Sequence, residues 1–242
     1  VIAAMVLRGL FGLTPWGNIF DCLYNLLQIP LTALIGSNVI SQMILQIIVQ
    51  VCWALGIHPG FLTSATGPIM FGLDGMNQAA YAAGQPIPNI IGMAFSYSMT
   101  IELNMSGLPA FALAVLIFSK SNQLKTVGKI SIAPAFFGIS EPLMFGVPVV
   151  MNPFMAIPWI ISPTVNVLLG WLACSSGLVA RYAGVTVFNF PMGVTGILNG
   201  SFTIAILEVV VCIIDVLIFM PFVRIQDKKY IDAEKAAETE QN

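Results

Sequence analysis

Acid–base side chains are few in the apolar stretches of this sequence: the carboxylates Asp74, Glu102, Glu141, Glu208 and Asp215, and one histidine, His58. A carboxylate at the centre of a bilayer costs at least about 2.5 kcal/mol on insertion scales, so each needs a reason to be there. Glu141 stands in Gly138-Ile139-Ser140-Glu141-Pro142, just before a proline that bars a regular helix interior. A carboxylate at such a break can face a polar cavity, accept hydrogen bonds from neutral hydroxyls, or take a proton where burial raises its pKa. His58 stands in Gly56-Ile57-His58-Pro59-Gly60. A single histidine is more often a hydrogen-bonded structural group, but one break holding it and another holding an acid points to a shared site. Glu208 and Asp215 lie two helical turns apart on one face and are expected to serve structure inside a helix bundle. Asp74 and Glu102, in Gly- and Asn-containing stretches, are expected near the membrane interface.

Neutral polar residues add to these two: Ser140 beside Glu141, and Asn104, Ser106, Asn152, Asn166, Asn189 and Asn199 in apolar surroundings. Each amide offers a donor and an acceptor, which suits a neutral polyhydroxyl ligand better than an ion or a nucleotide. Trp53, Phe136, Phe137, Phe188 and Phe190 could stack on a sugar face, although packing is the commoner use of any one of them. Cys22, Cys52, Cys174 and Cys212 are widely separated in apolar runs, without a CxxC pair. With one histidine available, no zinc or iron–sulfur site and no cofactor are expected.

The elements holding these residues belong in lipid. Of 242 residues, 57% are hydrophobic and 8% charged, with a mean hydropathy of +0.91. A soluble domain carries about a quarter charged residues, so a soluble enzyme is excluded. The net charge of −2 and the lack of a basic stripe give no reason to expect a nucleic-acid partner. Residues 31–57, 153–178 and 196–223 each provide the roughly 20 apolar residues that a crossing needs. In the first, Asn38, Gln42 and Gln46 share a face, as interhelical contacts or as a cavity lining. Glycines and prolines interrupt two further regions, residues 59–75 and 134–153, which are expected to be re-entrant or discontinuous helices. Broken backbone at membrane depth survives only where protein, water or a ligand satisfies it, and transporters bind their ligands at such places. The run at residues 109–118 is too short to cross unless residues 90–105 continue it.

Residues 119–131 carry Lys120, Lys125 and Lys129 without an acid, and Arg224, Lys228 and Lys229 follow the last span. Both groups are expected on the cytoplasmic side, with Arg181 as the basic residue of the outer turn between the last two spans. Nine of the twenty charged residues lie from Arg224 onward. Residues 1–223 are therefore expected to be membrane-embedded and residues 224–242 a solvated, charged cytoplasmic tail. The chain opens on Val1 with an apolar segment that reads as the end of a helix, so a longer membrane protein is expected upstream. The predicted fold is an all-α polytopic membrane protein with two re-entrant or discontinuous helical hairpins.

Four segments in order, the Gly-Ile-His run, the Lys loop Ser-Lys-Ser-Asn-Gln-Leu-Lys from Ser119, the Gly-Ile-Ser-Glu-Pro run followed by Phe145 to Pro153, and the ending Phe219 to Tyr230, carry a resemblance. The sequence resembles enzyme IIC of the bacterial phosphotransferase system, in its lactose/cellobiose/diacetylchitobiose branch, and looks like the C-terminal half. In that family the histidine is usually followed by Gly-Asn, where Pro59-Gly60 stands here. The resemblance implies transport of a β-linked disaccharide across the bacterial inner membrane, coupled to its phosphorylation at the C6 hydroxyl. It implies phosphorylated enzyme IIB as donor and partner, with the Lys loop able to attract an acidic partner surface, and a homodimer in the full-length protein. Glu141 and His58 would then be the pair near the C6 hydroxyl, with Asn104, Ser106, Ser140, Asn152, Phe188 and Asn189 around the sugar. An ion-coupled secondary transporter shares the broken helices and remains an alternative, as does an inactive half-permease.

Overall fold

A computed structural model describes residues 5, 8, 9, 11–15, 17, 38–100, 107–187 and 189–240 of the chain. Among these residues there is no strand, and helices follow one another from α1 (Val39–Ala54) to α9 (Phe202–Glu240). Helix α1 starts at Asn38, whose Oδ1 accepts the Ile40 N–H at 2.8 Å, so this member of the expected polar face serves as a cap. It ends at Gly56, which takes φ 76°. The Gly56 N–H donates to Trp53 O at 2.9 Å and the Ile57 N–H to Cys52 O at 2.8 Å. These nested bonds close a helix terminus around a left-handed residue.

After Pro59 comes α2 (Gly60–Ala82), one helix of 23 residues. Residues 59–75 are therefore not broken throughout, as their glycines and prolines predict; the interruption is confined to Leu55–Pro59. Isolated glycines lower helix propensity without ending a helix. Pro68 removes only one intrahelical donor, the one that would have reached the Ser64 carbonyl.

Three short or medium helices follow: α3 (Met93–Met99), α4 (Gly107–Phe118) and α5 (Asn122–Phe136). Helix α5 closes as α1 does. Gly138 takes φ 74°, its N–H donates to Ala135 O at 3.1 Å, and the Ile139 N–H donates to Pro134 O at 3.0 Å. One and a half turns of α6 (Glu141–Gly146) then lead into α7 (Pro153–Ser175). The segment between α6 and α7 returns to the first break, for the Met151 N–H donates to Ala54 O at 2.7 Å. The last expected span is divided by a turn at Gly200, φ 84°, into α8 (Val194–Leu198) and α9.

Helix α9 packs on α4 and α7, and α7 on α1. Phe111 of α4 stacks on Phe219 of α9 at 4.4 Å and 19°, with the edge of Trp159 from α7 at 6.2 Å. A Cβ on Gly170 would lie 2.8 Å from Met99 Sδ and 3.0 Å from Phe95 Cε2, so α3 crosses α7 where the latter has no side chain. The two faces of α9 are inverted relative to a water-soluble helix. Glu208, Val211, Asp215, Phe219 and Val223 are all 0% exposed, whereas Ile206, Ile213 and Leu217 are 61%, 58% and 56% exposed. Apolar side chains outside and acids inside suit a helix surrounded by lipid.

Helix α9 does not end with its apolar run. It continues to Glu240, and the tail expected to be solvated begins as a docked helix. Asp227 is 4% exposed and accepts bonds from Ser121 Oγ at 2.6 Å, Ser121 N–H at 2.9 Å and Lys120 N–H at 2.8 Å. Glu234 accepts from the N–H groups of Asn122 and Gln123 at 3.3 and 3.0 Å. Two acids of α9 thus satisfy the free amides at the start of α5. At the other end, Ala180 N–H donates to Thr203 Oγ1 at 3.0 Å. From Thr203 to Asp227 a helix rises about 36 Å, so the Lys120 loop and the Arg181 turn are separated by more than the roughly 30 Å of a hydrocarbon core.

Gly56→Ala is expected to destabilise the protein by about 1–2 kcal/mol through the left-handed backbone, and its Cβ would meet Val150 Cγ1 at 3.2 Å. Gly56→Asn, which tolerates that conformation better, should lose less. Reversible denaturation in detergent measures both.

Candidate functional site

The space between α1 and α2 is a cavity of about 820 Å³, within the range of small-molecule sites. Helix α1 contributes Gln42, Leu45, Gln46, Val49 and Trp53, at i, i+3, i+4, i+7 and i+11 and hence on one face. Helix α2 contributes Thr63, Thr66, Gly67 and Met70 on the same period, with Ser64 and Phe71 beside them, and α3 contributes Ser96 and Tyr97. Both helix breaks open onto this space. His58 and Pro59 come from the first, and Gly138, Ile139, Ser140 and Glu141 from the second. The Met151 to Ala54 bond ties the end of α1 to the segment after α6, the short helix that Glu141 opens.

His58 is exposed, and its Nδ1 accepts the Gly60 N–H at 3.0 Å. With Nδ1 committed as an acceptor, the neutral ring carries its proton on Nε2 and offers a donor there. Trp53 meets the imidazole edge-on at 4.8 Å and 66°, which fixes the ring plane. Glu141 is exposed, in the first turn of α6, with Pro142 after it. The Ser140 hydroxyl makes no capping bond. Among the described lining residues Glu141 is the single formal charge. Gln42 spends Nε2 on Ser96 Oγ at 3.0 Å, and its Oε1 has no partner among the described residues. A wall with one carboxylate, amides, hydroxyls and aromatic rings can hold a neutral ligand with many hydroxyl groups.

Four of the eight residues singled out from the sequence thus line one cavity: His58, Ser140, Glu141 and Asn189, the last with φ 55°. Asn104, Ser106 and Phe188 lie outside the described residues. Asn152 does not line the cavity. Its Oδ1 accepts the N–H groups of Phe154 and Met155 at 3.1 and 3.3 Å, making it the cap of α7, because Pro153 opens that helix and leaves those amides free. Asn166 and Asn199 are likewise structural. Asn166 Nδ2 donates to Asp215 Oδ2 at 2.8 Å, and Asn199 bonds both backbone groups of Val185 at 2.9 and 3.0 Å. Sequence reasoning overlooked Thr63, Ser64, Thr66, Ser96 and Tyr97. For the first three, helical spacing on α2 was the available signal, concealed by the expectation of broken backbone there.

Asp74 and Glu208 brace this wall. Asp74 is buried rather than interfacial, at 2% exposure; its Oδ2 accepts from Ala94 N–H at 2.8 Å and Thr186 Oγ1 at 2.9 Å. A side chain on Gly92 would collide with Asp74 Oδ1, so α3 can approach α2 only with glycine at this place. Glu208 Oε2 accepts the Gly193 N–H at 2.7 Å, and its Oε1 accepts Ser98 Oγ at 2.7 Å. Tyr182 Oη donates to the same Ser98 Oγ at 2.8 Å. One carboxylate therefore joins α9 to α3, which carries Ser96 and Tyr97, and to the loop that carries Asn189.

The sequence profile of the family "Phosphotransferase system, EIIC" matches residues 1–163. The oligo-beta-mannoside-specific EIIC component of the phosphotransferase system in Bacillus subtilis (strain 168) is 36% identical over 222 residues, covering 90% of this chain and 50% of that protein. The cellobiose-specific EIIC component of Geobacillus stearothermophilus is 33% identical over 246 residues, covering 99% of this chain and 54% of that protein. The crystal structure of the transporter ChbC, the IIC component from the N,N'-diacetylchitobiose-specific phosphotransferase system, superposes with a TM-score of 0.80 at 35% identity. It covers 95% of this chain and 54% of that one. The chain spans about half the length of these relatives.

Glu208→Ala would remove the acceptor of the Gly193 amide and the carboxylate acceptor of the Ser98 hydroxyl, at about 1–3 kcal/mol for each bond lost. Tyr182→Phe removes one donor and orphans no amide, so its loss of stability should be the smaller of the two. Thermal denaturation of the purified variants ranks them.

Proposed function

The chain belongs to the phosphotransferase system EIIC family, and on that premise we propose that it forms the sugar-binding half of a phosphotransferase permease in the bacterial inner membrane. The ligand is a β-linked disaccharide such as cellobiose, diacetylchitobiose or lactose, and the phosphoryl donor is the phosphocysteine of a separate enzyme IIB. The observation that carries this reading is the cavity of about 820 Å³ onto which His58 and Glu141 both open from helix breaks. It has the size for a disaccharide and the neutral, hydroxyl-matching wall that a sugar requires.

In this reading Glu141 accepts the hydrogen bond of the sugar C6 hydroxyl, and His58 donates from Nε2 to an oxygen of the same sugar. As O6 attacks phosphorus, the new O–P bond forms while the S–P bond to enzyme IIB breaks, and the hydroxyl proton passes to Glu141. The chain contributes position and a proton acceptor, which is most of what such a transfer asks of a protein. Trp53, Ser140, Asn189, Gln42 and Gln46 orient the sugar. The end bearing Lys120, Arg224 and Lys228 faces the cytoplasm, supported by the basic residues there and by the roughly 36 Å rise that separates it from Arg181. The full-length protein works as a homodimer.

Membrane vesicles carrying the protein, supplied with phosphorylated enzyme IIB and labelled cellobiose outside, should accumulate sugar 6-phosphate. Accumulation of free sugar instead would replace this reading with ion-coupled transport. Glu141→Gln should lower sugar-phosphate formation by about 10²–10⁴-fold with unchanged membrane insertion; full activity would remove Glu141 from its role. His58→Ala should weaken sugar binding and phosphorylation more than it lowers the melting temperature. Intact transport with a lowered melting temperature would make this histidine a structural group.

A further inference from the structure

A second cavity, of about 410 Å³, lies where α4 ends and α9 leaves its apolar run. Lys120, from the turn after α4, and Arg224 and Lys228, one turn apart on α9, converge on it beside Ile117, Phe118 and Ile231. No acid pairs with any of these three cations among the described residues. Asp227, the one carboxylate on the wall, is already engaged by the Lys120 and Ser121 amides and by the Ser121 hydroxyl. The Arg224 guanidinium lies over the Phe118 ring at 4.9 Å. A cation–π contact takes up no N–H donor, so the guanidinium can still make a forked bond to phosphate oxygens.

The height of this cavity along α9 selects the kind of anion. Residues 202–223 rise about 33 Å, so Arg224 falls where a hydrocarbon layer of about 30 Å gives way to headgroups. Ile117, Ile213 and Leu217 are 60%, 58% and 56% exposed, giving this end of the bundle apolar surface for acyl chains below the cations. Lys125 and Lys129 belong to the same basic segment but do not reach the cavity, so the arrangement is more than a surplus of basic residues on one side of the membrane.

We propose that this cavity binds the phosphate headgroup of an anionic membrane phospholipid, held by Lys120, Arg224 and Lys228, with the acyl chains along Ile117 and the lipid-facing side of α9. The test compares the purified full chain in detergent with added phosphatidylglycerol, phosphatidylcholine, inorganic phosphate or unphosphorylated enzyme IIB. Native mass spectrometry reads bound lipid, and the melting temperature reads stabilisation. Phosphatidylglycerol should be retained and raise the melting temperature while phosphatidylcholine and inorganic phosphate do neither. Lys120→Gln/Lys228→Gln, which spares the Arg224–Phe118 contact, should weaken phosphatidylglycerol binding by about 30-fold, the scale expected for two basic residues at an anionic surface. Lys125→Gln/Lys129→Gln, with the same change of net charge, should stay within about 2-fold of the unaltered protein. Equal losses in the two double variants would show diffuse attraction and overturn the proposal. So would equal retention of the two lipids, stabilisation by inorganic phosphate alone, or stabilisation by enzyme IIB with no preference between lipids.

Discussion

The hydrogen bond from the Met151 amide to the Ala54 carbonyl is the contact on which the arrangement of the cavity rests. A helix that stops inside a bilayer leaves its last carbonyls with no water to accept. Helices α1 and α5 meet this with the same local solution, a left-handed glycine with two nested backbone bonds, followed by isoleucine and, shortly after, proline. The solution is local, so it would hold each break closed without relating one to the other. The bond from Met151 to Ala54 fixes the segment after α6 against the end of α1, and through the short α6 it holds Glu141 on the same space as His58.

The acids divide into two kinds by what surrounds them. Asp74, Glu208 and Asp215 are buried and bonded by amides or hydroxyls of neighbouring elements. Glu141 is exposed on a cavity wall. A buried carboxylate is a strong acceptor that orients several donors at once, and each of these three links segments distant in sequence. The cost of holding them in an apolar bundle is offset by the rigidity of the wall against which a ligand would be held.

Much of this was legible in the chain itself. The low charge, the long apolar runs and the Gly-Ile-His-Pro and Gly-Ile-Ser-Glu-Pro interruptions sufficed for a helical membrane protein with broken helices and for three of its cavity residues, His58, Ser140 and Glu141. Three things were not legible, each for a physical reason. Pro68 and its neighbouring glycines look like breakers, yet one missing donor does not end a helix whose faces are packed. Asn152 has the side chain of a sugar ligand and of a helix cap alike, and only the free amides after Pro153 decide between them. Asp74 looks interfacial beside Gly75, but Thr186 and Ala94, far away in sequence, bring it into the interior.

Helix α9, at 39 residues without interruption, is about 58 Å long, against roughly 40–45 Å for a whole bilayer with its headgroups. Such a rod cannot be contained in the membrane, and its charges from Arg224 onward must stay in or beyond the headgroup layer. Any displacement of α9 along the membrane normal therefore meets a graded electrostatic stop. Drawing the helix toward its amino-terminal side would pull Arg224, Lys228 and Lys229 into hydrocarbon, while the opposite movement brings Arg181, near Thr203, toward it. The two groups of charges act as end-stops, and the apolar length between them sets how far the helix can slide.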